Sequence, residues 1–568
     1  MEKGGMKKQA LFPGIRKPES GRSTGSGLAR LLPIFCIVLL LAGCGYGTAD
    51  MAERTEETVS QGEDVTKRTE WEIVIPDDNY RNYYEIFVSS FYDSDGDGTG
   101  DLNGVAQKLD YIQDMGFTGI WLMPVMPSPT YHKYDVTDYC AVDERYGTTE
   151  DFRRLAEDCR ERNIRLIIDM PINHTSSEHP WFQAACEYLA GLAAGEEITG
   201  ETCPYAEYYH FSREQENENY YPVTGTEWYY EGVFWSGMPD LNLKNEAVRG
   251  ELEKAASFWI ELGAEGFRMD AVMHYEENDT AFNTEVLRWL YDYCLQQNPD
   301  FYMVSEVWAG EKTIADYYGS GTPSLFNFDL ADAEGKLIKA ARGKYSAESL
   351  ADAMLLYQED FSAQNSGWID APFLTNHDMG RTANALISDE NDVKMAGGLL
   401  LTMGGSPFVY YGEEIGMRSK GTKDENKRLS MYWSDTDEMG QTLDPPGADE
   451  GIGSAFGSVE EQLLDETSIL NYYRRALRLR NENPEIARGT AEKVEALCNE
   501  QQAVILKTWE DSSIAIVYNI SDEEAEIDLK EGGLEEREIR GNLTLNGEEI
   551  VRMQDVLCMP GQSVCILK

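Results

Sequence analysis

Eight short runs rich in β-branched and aromatic residues lie between turn signals and read as strands: 83–91, 116–125, 165–172, 266–272, 301–307, 324–329, 371–375 and 407–411. Most are separated by segments with apolar residues at helical spacing. Thr148-Thr-Glu-Asp151 has the form of a capping box and opens a helix running to about Arg162, and 246–262 and 281–294 carry the same periodicity. Strand alternating with helix implies a parallel sheet, and eight such units imply an α/β protein built on a (β/α)8 TIM barrel. One connection, 175–245, is too long for a plain crossover. It is rich in Tyr, Gly and Glu, and a long loop inside a compact domain is usually functional. The last barrel helix is expected at 468–481, before Pro484. Beyond it 503–508 and 513–519 alternate like strands, followed by further short runs to Lys568. The resulting division is a barrel over 73–174 and 246–482, an inserted subdomain over 175–245 and an all-β C-terminal domain over 483–568.

The first 72 residues read differently. Lys7, Lys8, Arg16, Lys17, Arg22 and Arg30 precede an apolar run at 31–41, which meets Leu41-Ala42-Gly43-Cys44. That run fits a signal-peptide core better than a bilayer span. The small residues before Cys44 resemble a bacterial lipoprotein cleavage site. The resemblance implies a signal peptide over 1–44, lipidation of Cys44 and an extracellular protein anchored to the outer face of a membrane. Residues 45–72, rich in Glu, Thr and Ser, read as a disordered tether.

Composition narrows the ligand. A formal net charge of -52 argues against nucleic acid, which needs clustered Lys and Arg, but poses no conflict with an uncharged polymer. An aromatic share of 11%, with 32 Tyr and 11 Trp, suits sugars, because rings offer flat apolar faces and polar edges. Ten cysteines are present; beyond Cys36 and Cys44 in the signal they are scattered, without metal-ligand spacing. Cys558 and Cys565 are candidates to face each other across a terminal hairpin. A monomer is expected.

Four acidic motifs stand on the trailing edges of the apolar runs: Ile-Ile-Asp169-Met-Pro-Ile-Asn173-His174, Gly266-Phe-Arg268-Met-Asp270-Ala, Val304-Ser-Glu306-Val-Trp308 and Phe373-Leu-Thr-Asn376-His377-Asp378. A carboxylate just past a buried strand is costly to hold, so its placement asks for a reason. Several strands delivering one each to the same end of a barrel point to a catalytic site. In this order, and with Gly405-Ser-Pro-Phe-Val-Tyr-Tyr-Gly-Glu-Glu-Ile-Gly416 at the eighth strand, the motifs resemble glycoside hydrolase family 13, the α-amylase family. The resemblance covers residues 80–480 well and the C-terminal domain loosely.

It implies a retaining enzyme that cleaves α-glucosidic bonds of starch or malto-oligosaccharides, with Asp270 as nucleophile and Glu306 as acid/base. Asp378 matches the third acid, which holds sugar hydroxyls. Arg268, two residues before Asp270, is expected to keep that carboxylate ionised, and the apolar neighbours of Glu306 to raise its pKa. Three of the six histidines, His174, His274 and His377, fall at these motifs and are expected to grip hydroxyls. Tyr134 matches the tyrosine that stacks under the sugar at the cleavage point. The resemblance also makes 175–245 one wall of the cleft and the C-terminal domain a sandwich.

Following the first strand, Asp93-Ser-Asp95-Gly-Asp97-Gly-Thr99-Gly-Asp101 alternates oxygen ligands with glycines, which suits a hard cation such as Ca²⁺. The twelfth position is Gly104 where an EF-hand requires Glu, so it is not an EF-hand. It resembles a calcium loop found after the first strand in part of the family. That implies a structural Ca²⁺ held by the Asp93, Asp95, Asp97 and Asp101 side chains and the Thr99 carbonyl. Ala271 leaves room consistent with α-1,4 linkages, Met238-Pro-Asp240-Leu-Asn242 is intermediate between the oligo-1,6-glucosidase and neopullulanase groups, and Met273 replaces a lysine common in α-amylases. Two other classes stay open: a non-catalytic surface glucan binder, and an α-1,6-active or transglycosylating relative using the same intermediate.

Overall fold

The computed structural model describes residues 75–568. Cys44 and the signal and tether expectations lie outside the described residues. Among the described residues, no helix is long and apolar enough to cross a membrane.

Eight parallel strands form the central sheet: β1 (Tyr83–Ile86), β2 (Gly119–Leu122), β3 (Arg165–Met170), β4 (Gly266–Met269), β5 (Tyr302–Ser305), β6 (Ser324–Phe326), β7 (Ile369–Ala371) and β8 (Phe408–Tyr410). Each pairs with the next from β1 to β7, and β8 returns to pair with β1. The join between β7 and β8 is slighter. It consists of one bridge, Phe373 to Phe408, and two loop hydrogen bonds, Ser406 N to Asp370 O at 2.7 Å and Phe408 N to Pro372 O at 2.9 Å. The seventh strand therefore sits earlier than the 371–375 expected from sequence. Pro372 has no N–H to continue a ladder, so regular pairing stops at Ala371.

Alternation along each strand fixes what the barrel encloses. Tyr83, Trp121, Ile167, Tyr302, Val304, Phe326 and Phe408 point inward and pack as one cluster, with Tyr83 stacked on Tyr302 and Phe408 at 5.3 and 4.6 Å between ring centroids. Gly119 is needed beneath this plug: a Cβ there would lie 2.5 Å from the Tyr83 ring. One alternation further along, the same faces carry Glu85, Asp169 and Arg268. Register places Asp169 beside Arg268 and Arg268 beside Val304. The barrel is an apolar plug with a charged layer on its C-terminal side.

The helices cover the outside. Thr148 caps Thr149–Glu161 in a reciprocal capping box with Asp151. Glu246–Leu262 begins at Asn245, which accepts from Ala247 N, and ends at a left-handed Gly263. Trp259 ties these two helices together: its ring meets Phe152 edge-on at 5.0 Å, and its Nε1 donates to Tyr139 O at 2.8 Å. Between β3 and that second helix the chain forms the helix Pro180–Gly191 and a small antiparallel sheet of Phe211–Ser212, Tyr229–Glu231 and Tyr220–Pro222. A bridge from His174 to Asp240 and the Leu241 N–H donating to Asn173 O at 2.8 Å pin the end of this segment to the barrel rim, and a bridge from Tyr209 to Leu241 ties the segment to itself.

After the helix Ile469–Glu482 come a five-stranded and a three-stranded antiparallel sheet, packed around Val504, Val517, Leu557 and Leu567. Cys558 pairs with Glu526 and Val551 in the smaller sheet, whereas Cys565 pairs with Val517 and Asn542 in the larger one. The two cysteines do not face each other across a hairpin, and both are free thiols. Removing the Trp259 side chain leaves a large cavity between two outer helices and an unpaired Tyr139 carbonyl. Trp259→Ala is expected to destabilise the fold by about 3–5 kcal/mol, read as a lower denaturant midpoint than wild type.

Candidate active site

The charged layer is organised by one side chain. Arg268 is fully buried, and its Nη1 donates to Asp169 Oδ1 at 2.9 Å, Asp169 Oδ2 at 3.1 Å and Asp270 Oδ1 at 2.6 Å. Its Nη2 lies 3.0 Å from Glu306 Oε2. Three carboxyls from three adjacent strands thus converge on one guanidinium, whose planar fork suits several acceptors at once. Accessibility separates them: Asp169 is 0% exposed, whereas Asp270 at 7% and Glu306 at 9% reach the barrel mouth. Only the latter two can meet a ligand.

The backbone around Asp270 is shaped to the same end. Ala271 is left-handed, with φ 51° and ψ 37°, a conformation uncommon for a residue other than glycine. In it the Ala271 N–H donates to Glu306 Oε2 at 2.9 Å. One Glu306 oxygen is therefore engaged by backbone and cation, which fixes the orientation of the other.

The expectation that Arg268 holds Asp270 ionised is met in contact but not in balance. Burial raises the Asp270 carboxyl, Arg268 opposes it, and the Asp378 charge adds to the rise. Burial likewise raises Glu306, in the direction expected, against the pull of Arg268. Asp169 is pushed up to about 7, again by burial. One cation among three desolvated acids leaves room for a proton in the cluster.

The third acid has the opposite setting. Burial alone would raise the Asp378 carboxyl, but His377, with Arg428 and Arg268, holds it well below the usual range. His377 Nε2 lies 3.0 Å from Asp378 Oδ2 and 2.7 Å from the Tyr134 hydroxyl, and its Nδ1 lies 2.6 Å from Glu85 Oε1. Burial would lower its pKa; the Asp378 and Glu85 carboxylates win and raise it to about 9. Tyr134 stacks on His377 at 5.5 Å and donates to Asp169 Oδ2 at 3.0 Å.

The structure thus brings together Tyr134, Arg268, Asp270, Glu306, His377 and Asp378. His174 lies beside them, buried, with an Nε2 that has no protein partner. His274 stands apart at the rim, its side chain 39% exposed and its Nδ1 2.5 Å from Glu277 Oε1. Phe234 of the inserted segment contacts both His174 and His274 edge-on.

Several residues of the network carry no role in the sequence reading. Asp169 is present in a motif without one; Glu85 could be found from strand alternation, two positions after the inward Tyr83. Arg428 donates to Asp378 Oδ1 at 2.8 Å, pairs with Asp424 and donates to the Tyr131 hydroxyl at 3.0 Å. No motif spacing signals it, because it lies in an irregular segment fifty residues beyond its partner.

At the Asp93 loop, carboxylate oxygens of Asp93, Asp95 and Asp101 lie within 4.8 Å of one another. Three hard anionic donors at that spacing fit a cation such as Ca²⁺. Asp97 stands outside the convergence and accepts from Thr99 N at 2.7 Å.

Residues 85–489 match the family described as Alpha amylase, catalytic domain. The chain is 39% identical over 454 residues to "Alpha-amylase 3" of Dictyoglomus thermophilum, covering 78% of this chain and 85% of that one. It is 29% identical to a "4-alpha-glucanotransferase" of Thermotoga maritima over 78% of this chain and 96% of that one. The solved structure "Eubacterium rectale Amy13B" superposes with a TM-score of 0.84 at 41% identity, covering 87% of this chain and 96% of that one.

The His377 pair makes a signed prediction. Its folded pKa is about 9 against an ordinary 6.5, so its stabilisation is full below pH 6.5 and lost as pH rises through 9. Thermal midpoints of His377→Gln are expected to approach those of wild type across that window; parallel curves would refute the assignment.

Proposed function

The chain belongs to the α-amylase family and is a glycoside hydrolase, and we propose that it cleaves α-1,4 bonds of starch or malto-oligosaccharides with retention, through a glycosyl ester on Asp270. The observation that carries this reading is the pair of accessible carboxyls, Asp270 and Glu306, on one guanidinium. Glycoside hydrolysis needs two such carboxyls flanking the scissile bond, one to act on the anomeric carbon and one to serve the leaving oxygen.

In the first half, an Asp270 oxygen attacks the anomeric carbon while Glu306 gives its proton to the leaving glycosidic oxygen. Arg268 and the Ala271 N–H keep the Glu306 carboxyl aimed. In the second half Glu306 takes a proton from water, whose oxygen displaces Asp270. Burial raises Glu306 and Asp270 alike, so the acid's part at Glu306 rests on the family motif, and the proton the cluster can hold is the one it would give. Asp378, held ionised by His377 and Arg428, is suited to accept from sugar hydroxyls. Tyr134 stacking under the reacting sugar, and hydroxyl contacts from His174, His274 and His377, complete this reading. His377 already spends both nitrogens on protein partners, so its contribution runs chiefly through Asp378 and Tyr134.

A structural Ca²⁺ at Asp93, Asp95 and Asp101 belongs to the same proposal, with the Thr99 carbonyl as a further ligand and Asp97 outside the set; it would brace the loop away from the chemistry. So does an extracellular, lipid-anchored location through Cys44. The likeness to a 4-α-glucanotransferase favours transfer as the second reading, because only the acceptor differs.

With maltoheptaose, fresh products are expected as α-anomers by proton NMR; β-anomers would overturn retention. Asp270→Asn is expected to lose about four orders of magnitude in kcat while keeping substrate binding, and near wild-type turnover would remove Asp270 from its role. Sugar-to-sugar products dominating at high oligosaccharide concentration would move the reading to transfer. A chelator is expected to lower the thermal midpoint, and added Ca²⁺ at 100-fold over its Kd to restore about 2.7 kcal/mol.

A further inference from the structure

Glu413 is a buried carboxyl that the chemistry does not touch, 3% exposed, at the end of β8. Gly412 before it is left-handed, with φ 79°, and a Cβ there would lie 2.2 Å from the Met417 sulfur, so the turn that aims Glu413 requires glycine. Glu413 Oε2 accepts from the Thr382 hydroxyl at 2.9 Å and from the Thr375 hydroxyl at 3.4 Å. Those two hydroxyls lie 3.1 Å apart, and the Tyr473 hydroxyl donates to Oε1 at 3.2 Å.

Thr375 and Thr382 are the two ends of the segment carrying His377 and Asp378. We propose that Glu413 is a positioning residue for Asp378, its carboxyl tying both ends of that loop into a closed ring anchored on the β8 turn. The inference rests on the reading of Asp378 as a substrate-holding acid. The loop needs such a tie: it leaves β7 at Pro372, where the ladder has stopped, and its own strand offers little further pairing. Arg381, beside Thr382, adds a second hold through Nη1 to the Tyr411 carbonyl.

The clamp works as a hydrogen-bonding group rather than as a charge. Burial pushes the Glu413 carboxyl up to about 8 against the pull of the Thr382 and Tyr473 hydroxyls, with Glu414 adding to the rise and Arg381 opposing it. Glutamine keeps the shape of this side chain and an accepting oxygen for the two threonines without the charge, so it separates the bonds from the charge.

The test is a double-mutant cycle on maltoheptaose hydrolysis. Glu413→Ala is expected to lower kcat about 10- to 100-fold with a smaller change in KM, as a displaced catalytic group does. Glu413→Gln is expected to stay within about threefold of wild type. In an Asp378→Asn background, Glu413→Ala should add less than about twofold, because the group it positions is already gone. Full additivity, or an unchanged kcat in Glu413→Ala, overturns the proposal, and a Glu413→Gln as impaired as the alanine variant overturns the uncharged clamp. If Glu413→Ala does not fold, Thr382→Val removes one arm of the tie and is judged by the same cycle. Near wild-type turnover of Asp378→Asn alone would instead remove the reading of Asp378 itself.

Discussion

Everything at the mouth of this barrel is arranged around the cost of burying Arg268. A guanidinium with no exposed surface must find its counter-charges inside the protein, and the three nearest acceptors come from β3, the end of β4 and the end of β5. Removing the cation would leave three crowded carboxyls with no counter-charge between them. The arginine thus fixes the mutual positions of Asp169, Asp270 and Glu306 and couples their protonation. Asp169, wholly enclosed, cannot meet a ligand, but it shares in that protonation with the two more accessible acids.

Around this centre runs a second circuit, from Glu85 through His377 to Asp378 and on to Arg428, Asp424 and Tyr131. The two circuits meet at Tyr134, whose hydroxyl contacts Asp169 and His377. The same desolvation that raises Asp270 and Glu306 is outweighed at Asp378 by two adjacent cations. One cavity therefore holds carboxyls with opposed tendencies, one set inclined to share a proton and the other kept charged, as acid/base catalysis beside an anionic grip requires.

Much of this was legible in the sequence because strands buried on both faces leave strong local signals. The runs around Tyr83, Ile167, Phe267 and Val304 could hardly be anything else, and the capping box at Thr148 and the Asn245 cap mark helix starts directly. The acidic motifs follow from the same regularity, since inward alternation carries each to the rim. What was not legible depends on contacts between distant segments. Nothing local to Arg428 says that it reaches Asp378, and nothing local to Cys558 and Cys565 says that they belong to different sheets. The displacement of β7 turned on Pro372, whose missing donor outweighed the apolar character of Phe373 and Leu374. The sign of the Asp270 shift depended on how completely the cluster is enclosed, which spacing alone does not reveal.

The slight join between β7 and β8 divides the ring into unequal parts. Asp270 and Glu306 stand on β4 and β5, each laddered on both sides, whereas Asp378 follows the strand with the weakest closure. Backbone pairing is thus continuous beneath Asp270 and Glu306 and thinnest beneath Asp378, so the loop that carries Asp378 depends on side-chain ties, through Arg428 and Glu413, for what the sheet supplies to the other two.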